Sequence, residues 1–496
     1  MNVAVLLDIA AGIFGDRVVV GDATDGLTGA RLQALSAAAA DRIVEAGADA
    51  LVYLAPNGPA FTTALFAAAR AGVPLIPLNY RLGPEQLDEL VANHPRAIGL
   101  ASPELAAPLD RAGITWYRPQ DWLAGGAETD PLSEAVEAQS PAAIIYTSGT
   151  TSTPKGVLLQ HANLTSYVLG TVEFAGAGPD EASLVSVPPY HIAAVSNVLS
   201  NLYAGRRTVV LESFTADGWL AAVREQRVTN AMVVPTMLAR IMECSPEQLV
   251  VPSLRALAYG GARMPRRVIE KALQTWPEVD FVNAYGLTET SSTISVLGPE
   301  DHRLALVSPS RAVRDRLSSA GRIVPGVELE IRDQDEHPVP AGTPGQIWVR
   351  GEQVSGQYAG RGPSVDARGF FNTRDHGHLD DEGYLFVAGR IDDTIIRGGE
   401  NIAPEEIEEV LLRHPAVVDA AVVGIPDEEW GQRIEAVVVL GGDQDLAPAA
   451  IQDYVRGLLR SSKTPARIDV WQELPRTATG KLLRREVALA LAGPGQ

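Results

Sequence analysis

Between residues 31 and 100 the chain alternates two textures. RLQALSAAAADRIVEAG is Ala-rich and predicts a helix, as does FTTALFAAARAGV. ALVYLAP (50–56) and PLIPLN (74–79) are short apolar runs that predict buried strands. The same rhythm returns further on. AAIIY (142–146), SLVSVPP, RTVVL, NAMVVP, LRALAYGG and DFVNAYG read as short buried strands separated by helical segments. Such alternation predicts an α/β fold: a large N-terminal domain of two βαβ-type subdomains around mostly parallel sheets.

From about residue 320 the pattern shifts. VELEIRD, GQIWVRG and GYLFVAGR are β-rich and separated by Gly, Pro and Asp turns, which predicts a small β-barrel or a distorted sheet. After Arg390 it shifts again. PEEIEEVLLRHPAV opens with Pro404 and glutamates, as a helix start favours. DAAVVGIP and IEAVVVL predict strands, and AAIQDYVRGLLRSS a helix. This is a compact α+β module of roughly a hundred residues, with its boundary expected near Gly389–Asp392.

With 496 residues the chain is too long for one core. Its 46% hydrophobic and 21% charged residues are an ordinary globular mix. A net charge of −20 argues against nucleic acid as a partner. An anionic ligand would then need local cations, and Lys155, Arg390 and Lys481 are candidates. The single Cys244 fits a reducing compartment and reads as a small buried hydrophobe. No run is long enough to span a membrane. MNVAVLLDIAAGIFGDR is apolar without a basic flank, so it predicts an amphipathic helix rather than a leader. A cytoplasmic protein is expected. The sequence carries no signal of oligomeric state.

The densest chemistry lies in YTSGTTSTPKGV (146–157). Hydroxyls, two glycines and Lys155 follow a buried strand. Glycine lets backbone N–H groups approach an anion, and hydroxyls and a cation add to them. This predicts a phosphate cradle, although the Walker A spacing is absent. NAYGLTET (283–290) offers an aromatic face at Tyr285 and oxygen ligands at Thr288 and Glu289. It follows YGGAR (259–263). Further on come FFNTRDHGHLDDEGYLFVAGR (370–390), IDDTIIRGGENIAPEEIEEVL (391–411) and LPRTATGKLLRREV (474–487).

Together these five segments resemble, in order and spacing, the signatures of the adenylate-forming superfamily, which includes acyl-CoA synthetases, nonribosomal adenylation domains and luciferases. The resemblance covers about residues 20 to 487. Two positions depart from it: Ser152 and Arg374 stand where the family usually has glycine.

The resemblance implies a role for each match. Thr147, Ser148, Gly149, Thr150, Thr151 and Lys155 would hold the phosphates of ATP. Gly260, Gly261, Ala262, Asn283, Ala284, Tyr285 and Gly286 would line the adenine site. Thr288 would contact the α-phosphate, and Glu289 would hold Mg²⁺. Asp375 and Arg390 would take the ribose, and Lys481 would bridge the substrate carboxylate and α-phosphate. His191 would gate the pocket or assist the nucleophile, with a packed histidine the equal alternative. Ile192, Ala193, Ser291 and Ser292, together with Ala284 and Gly286, would line the acyl pocket. These residues are small or apolar, which suits a hydrophobic or aromatic acid.

Residues 1–389 would form the adenylation domain, 390–392 the hinge at Asp392, and 393–496 a mobile lid. Gly399 would line a tunnel for CoA, and Trp430 and Lys463 match positions on the lid. The expected activity is ATP-dependent acyl- or aryl-CoA ligation through an acyl-adenylate. The alternative is an adenylating enzyme with another acceptor, such as a carrier-protein thiol or an amine, or one acting on an unusual oxyanion such as nitrite for N–N bond formation. A nucleotide sensor without chemistry is disfavoured, because Lys155, Glu289, Asp375, Arg390 and Lys481 are all present.

Overall fold

The computed structural model describes residues 1–124, 140–147, 154–390, 393–397, 400–427, 429–441, 446–477 and 480–492. The expected Ser148, Gly149, Thr150, Thr151, Ser152, Asp392 and Gly399 lie outside the described residues.

The buried runs form two large sheets. One has six strands in the order Trp116–Tyr117, Ile98–Ala101, Leu51–Leu54, Leu75–Pro77, Ala143–Thr147 and Lys155–Leu159. All its pairs are parallel except the last, an antiparallel hairpin. The other has nine strands, with a parallel centre ordered Asp280–Leu287, Ala256–Gly260, Asn230–Val233, Ala182–Val185, Arg207–Val210 and Val18–Val20. Parallel strands covered on both faces read as continuous apolar runs. Leu51–Leu54 and Ala182–Val185 are buried throughout.

The N-terminal segment forms the helix Ala4–Phe14, which buries Leu6, Leu7, Ala10 and Phe14. The helix Pro59–Ala71 starts with Pro at its first turn and ends on Gly72 at φ 71, where the left-handed cap suits glycine. It is buried almost all round, as expected for a helix with no polar face.

In the nine-stranded sheet the chain leaves Ala182–Val185 on one side for Arg207–Val210. It then returns on the other side for Asn230–Val233. Such a reversal opens a crevice beyond the carboxyl ends of the strands. His191, Thr236, Gly261 and Gly286 all come from this end.

The β-rich segment is a four-stranded antiparallel meander of Val327–Arg332, Gly345–Gly351, Phe371–Leu379 and Leu385–Arg390. Two of its three pairs shift register, so it is a distorted sheet among the described residues. The C-terminal part has its own core. Three strands, Val417–Asp427, Gly431–Leu440 and Arg467–Trp471, pack with helices Pro404–Leu412, Pro448–Leu458 and Arg484–Ala492. No described helix is long and apolar enough to cross a membrane.

Candidate active site

The hairpin Ala143–Thr147/Lys155–Leu159 brackets the expected phosphate loop. Thr147 pairs with Lys155 across it, and the Thr147 hydroxyl lies 3.4 Å from the Lys155 carbonyl. The loop's exit strand is tied to a later segment: Ala359 N–H donates to Gly156 O at 2.8 Å, and Val157 bridges Tyr358. That segment also grips Glu289. Ser355 N–H donates to the Glu289 carbonyl at 2.8 Å, and the Tyr358 hydroxyl donates to Glu289 Oε1 at 2.9 Å. One short stretch thus fixes both the phosphate hairpin and the expected metal ligand. No sequence signal pointed to Tyr358, because its two partners are distant in the chain.

The turn around Glu289 is tight. Ser291 and Ser292 have φ 56 and 112, a region that costs non-glycine residues energy. A Cβ on Gly286 would lie 1.7 Å from the Ser292 carbonyl, so only glycine fits there. Ser196 Oγ meets Ser292 Oγ at 3.2 Å, joining this turn to the helix Ile192–Ala204. The structure therefore sets the helix that begins at Ile192 and Ala193 against the turn of Gly286 and Ser292. Ser291 is fully buried with an unpartnered hydroxyl. Gly260 lies so close to Ala284 O that a Cβ would approach it to 2.2 Å. Gly261 takes φ 82, and Ala262 is half-buried beside it. Asn283 Nδ2 donates to Ser319 O at 2.9 Å, which anchors the strand.

Asp375 owes its placement to a bulge. The strand Phe371–Leu379 gains residues on its partner between Asn372 and His376. Arg374 sits in the bulge at φ 62, its N–H held by Asn372 Oδ1 at 2.8 Å. Asp375 N–H donates to Thr373 Oγ1 at 3.1 Å, and Thr373 donates on to Ile347 O at 2.8 Å. Asp375 is 5% exposed. It accepts from the Tyr285 hydroxyl at 2.5 Å and from Arg390 Nε at 2.9 Å. Burial raises its pKa; Arg390, the Tyr285 hydrogen bond and Lys481 oppose that rise. Burial, then Asp375, keeps the Tyr285 phenol well above its usual range, so the hydroxyl stays a donor.

Lys481 comes from the C-terminal part and enters the same charged shell. Burial and Arg390 lower its pKa, while Asp393, Asp375 and Glu289 work against that shift. Burial also disfavours the Arg390 cation, but Asp375, Glu289, Tyr285 and Asp393 raise its pKa overall. Two cations thus face three carboxylates.

His191 is the N-cap of the helix Ile192–Ala204. Its Nδ1 accepts from Ala193 N–H at 3.2 Å. Burial lowers its pKa to about 4, so it is neutral at pH 7 with its proton on Nε2. The geometry gives it a capping job. Lys463 pairs with Glu406 at 2.6 Å, and Trp430 lies under Arg397 at 5.3 Å. Cys244 is only half-buried, not the buried hydrophobe expected from the sequence; burial and the carboxylates of Asp217 and Glu243 raise its thiol pKa.

The chain matches two family models. One, AMP-binding enzyme, covers residues 7–359, and the other, AMP-binding enzyme C-terminal domain, covers residues 406–481. It is 33% identical to indoleacetate–CoA ligase of Aromatoleum aromaticum over 89% of this chain and 88% of that protein. It is 32% identical to fatty acid–[acyl-carrier-protein] ligase ScoC of Streptomyces coeruleorubidus over 88% and 86%. Its structure superposes on o-succinylbenzoate CoA synthetase from Bacillus subtilis, solved with ATP and a magnesium ion. The TM-score is 0.82 at 28% identity, with 97% of this chain and 98% of that chain covered. The chain therefore belongs to the AMP-binding enzyme family and is an ATP-dependent, AMP-forming ligase of the adenylate-forming superfamily.

Proposed function

We propose that the protein activates a hydrophobic or aromatic carboxylic acid with ATP and passes the acyl group to coenzyme A. One observation carries this reading: the turn bearing Lys481 seats against Thr236 of the N-terminal part, which puts the lysine within electrostatic reach of Asp375, Arg390 and Glu289.

In the first step a carboxylate oxygen of the acid attacks the α-phosphorus. The bond from that phosphorus to the bridging oxygen breaks, and its electron pair leaves with pyrophosphate. Two anions must meet, and negative charge grows on the phosphoryl oxygens as they do. The Lys481 ammonium offsets that charge inside a shell of reduced water access. Asp375 and Arg390 hold the ribose, and Tyr285, fixed by its bond to Asp375, presents its ring to the adenine. The Thr147–Lys155 hairpin carries the phosphate loop, and Thr288 meets the α-phosphate. Bound magnesium would supply charge neutralisation on the phosphates, and Glu289, its Oε1 already oriented by the Tyr358 hydroxyl, would hold it, since Mg²⁺ is commonly held by one or two carboxylates plus phosphate oxygens.

In the second step the C-terminal part, residues 393–496, turns about a hinge at 390–392 centred on Asp392. It withdraws Lys481 and brings Gly399 to line the thiol's path. The CoA thiol gives up its proton, its sulfur bonds the acyl carbon, and the acyl–oxygen bond breaks with AMP as leaving group. Ile192, Ala193 and Ser292 give the acyl pocket small or apolar walls, which is the basis for the proposed substrate class.

Mass spectrometry of the enzyme with ATP, Mg²⁺ and a pool of benzoates, cinnamates, indoleacetate, fatty acids of several lengths and nitrite, with and without CoA, tests this. An acyl-CoA product is expected; AMP without a thioester sinks the CoA reading. The carrier-protein relative motivates a second reading, in which a phosphopantetheine thiol replaces CoA. It predicts acyl transfer when a holo-carrier protein is supplied in place of CoA.

A further inference from the structure

Lys481 sits at the end of a tight turn. Thr477 N–H donates to Lys481 O at 2.8 Å, Gly480 N–H to Thr477 O at 2.8 Å, and Lys481 N–H to Thr477 Oγ1 at 3.0 Å. Gly480 has φ 77, and a Cβ there would lie 2.4 Å from Thr236 Oγ1. The turn therefore seats against the N-terminal part just past the strand Asn230–Val233. Leu474 and Leu482 hold the two ends of the turn in the apolar cluster of Ala421, Val423 and Val437, and the direction of the turn between them is left to polar contacts.

Arg476 fixes that direction. Its Nη2 lies 2.8 and 2.9 Å from the two carboxylate oxygens of Asp419, and its Nη1 donates to Gly480 O at 2.8 Å. Asp419 in turn stands beside a β-bulge. Val417 pairs with Leu440 and Asp419 with Val439, so Val418 is the extra residue. Bulges re-aim neighbouring side chains and are frequent next to active sites. Asp419 Oδ1 also accepts from Ala420 N–H at 3.0 Å, which sets the carboxylate's orientation. The Val418 carbonyl accepts from Arg267 Nη2 at 2.5 Å, and Arg267 belongs to the helix Arg266–Thr275 of the N-terminal part. A continuous chain of contacts runs from Arg267 through Val418, Asp419, Arg476 and Gly480 to Lys481.

We propose that the Val418 bulge and its Asp419–Arg476 pair are the positioning device that aims Lys481 into the site, with Arg267 coupling that aim to docking of the C-terminal part. Arg476 and Asp419 are positioning residues: they act through Lys481 and touch no substrate. The inference rests on the proposed role of Lys481. It predicts that the pair matters for adenylate formation and not for thioester formation, in which Lys481 is withdrawn.

The test compares Arg476→Ala, Asp419→Ala, their combination, Arg476→Lys and Arg267→Ala with Lys481→Ala. The first readout is pyrophosphate release from MgATP with indoleacetate, ferulate, 2-succinylbenzoate and octanoate each offered as acid. The second is thioester formation from the matching synthetic acyl-adenylate and CoA. The third is amide hydrogen exchange over residues 476–483.

Arg476→Ala and Asp419→Ala are expected to lower kcat for pyrophosphate release on the order of 10–100-fold, as a misplacement of about 1 Å can. KM for ATP and the thioester step should stay within about twofold. Exchange over 476–483 should quicken. The double variant should be no worse than either single one, because the two residues act as a unit. Arg476→Lys should recover part of the rate, and Arg267→Ala should show a smaller loss confined to the first step.

Wild-type pyrophosphate release in Arg476→Ala, with Lys481→Ala inactive, overturns the device and leaves the Lys481 reading intact. Full release in Lys481→Ala overturns both. Loss of both half-reactions in Arg476→Ala without recovery in Arg476→Lys overturns the device as a mere folding effect. If none of the four acids reacts, exchange decides: unchanged protection of 476–483 in Arg476→Ala overturns the device, and quickened exchange supports it.

Discussion

Asp375 and Lys481 serve one site and are held in opposite ways. Asp375 is 5% exposed inside a sheet, with its backbone tied to Thr373 and its carboxylate to Tyr285 and Arg390. Lys481 rides on a turn whose ends pack on its own sheet through Leu474 and Leu482 and whose polar tie to that sheet is the Arg476–Asp419 pair. The docking surface behind it includes the Arg263–Glu409 pair at 2.6 Å and the bonds from Arg263 to Glu405 O and from Arg267 to Val418 O. On the proposed cycle, the charge needed throughout is built into a ladder of mutually supporting bonds, and the charge that leaves after one step is carried on fewer contacts. The price of a mobile charge is that its aim depends on a handful of residues.

The largest test breaks the C-terminal part itself. Arg484 lies among Glu405, Glu408 and Asp393, with Glu405 at 2.7 Å, and those carboxylates push its pKa up despite burial. Arg484→Ala strands two buried carboxylates, so a loss of about 3–5 kcal/mol is expected, read by urea unfolding of the C-terminal transition. A loss under about 1 kcal/mol would show that this core does not depend on the cluster.

Lys481→Ala should slow adenylate formation on the order of 10²–10³-fold while sparing thioester formation from preformed adenylate. Equal losses in both steps would abolish the contrast between a fixed and a delivered charge. Asp375→Ala should weaken ATP by about 1.5–3 kcal/mol, seen as a raised KM, and should affect both half-reactions because the nucleotide stays bound through each.

The two parts should also answer acid in opposite directions. Burial pulls His161, His191 and His302 from 6.5 to about 4. The unfolded chain binds protons first as pH falls, so the stability these residues allow is full above pH 6.5 and lost on the way down to about 4. Glu405 has the other sign. Burial raises it, and Glu408 and Asp393 add to the rise against the pull of Arg484. Its contribution is full at low pH and declines as pH rises from the ordinary carboxylate range through the raised folded value. Calorimetry from pH 7 to 4.5 should move the N-terminal transition down and leave the C-terminal one level or higher. Parallel shifts would contradict this. The smallest effect belongs to Arg263→Ala, which removes a half-exposed ion pair and should change docking by no more than about 1 kcal/mol. Domain-orientation measurements by fluorescence transfer would detect a larger one.

Much of this was legible in the chain. Each apolar run read as a strand before residue 290 is one, because parallel strands buried on both faces need no partner pattern to be recognised. Pro404 does open its helix, with Glu405 and Glu406 in the first turn. The Phe371–Leu379 strand buries Phe371, Thr373 and Asp375 on alternate positions, but FNTRDHGHL shows no alternation of apolar residues, so its period was not legible in the sequence. Tyr358, Thr236, Asp419 and Arg476 were not legible as site residues. Each matters through a partner tens to hundreds of residues away, and no local pattern records that.

Residue types and spacing were enough to give the strand and helix rhythm, the division into an α/β part, a β meander and an α+β part, and the five segments that mark the family. These are local properties, set by burial period, turn chemistry and the residues an anion needs. Folding alone decided the strand order, the crevice at the reversal beside Ala182–Val185, and the bulges that aim Asp375 and Asp419. It also decided that a lysine from the far end of the chain enters the electrostatic surroundings of Asp375. Those features depend on register and on contacts between distant segments, where one residue's shift redirects every side chain that follows.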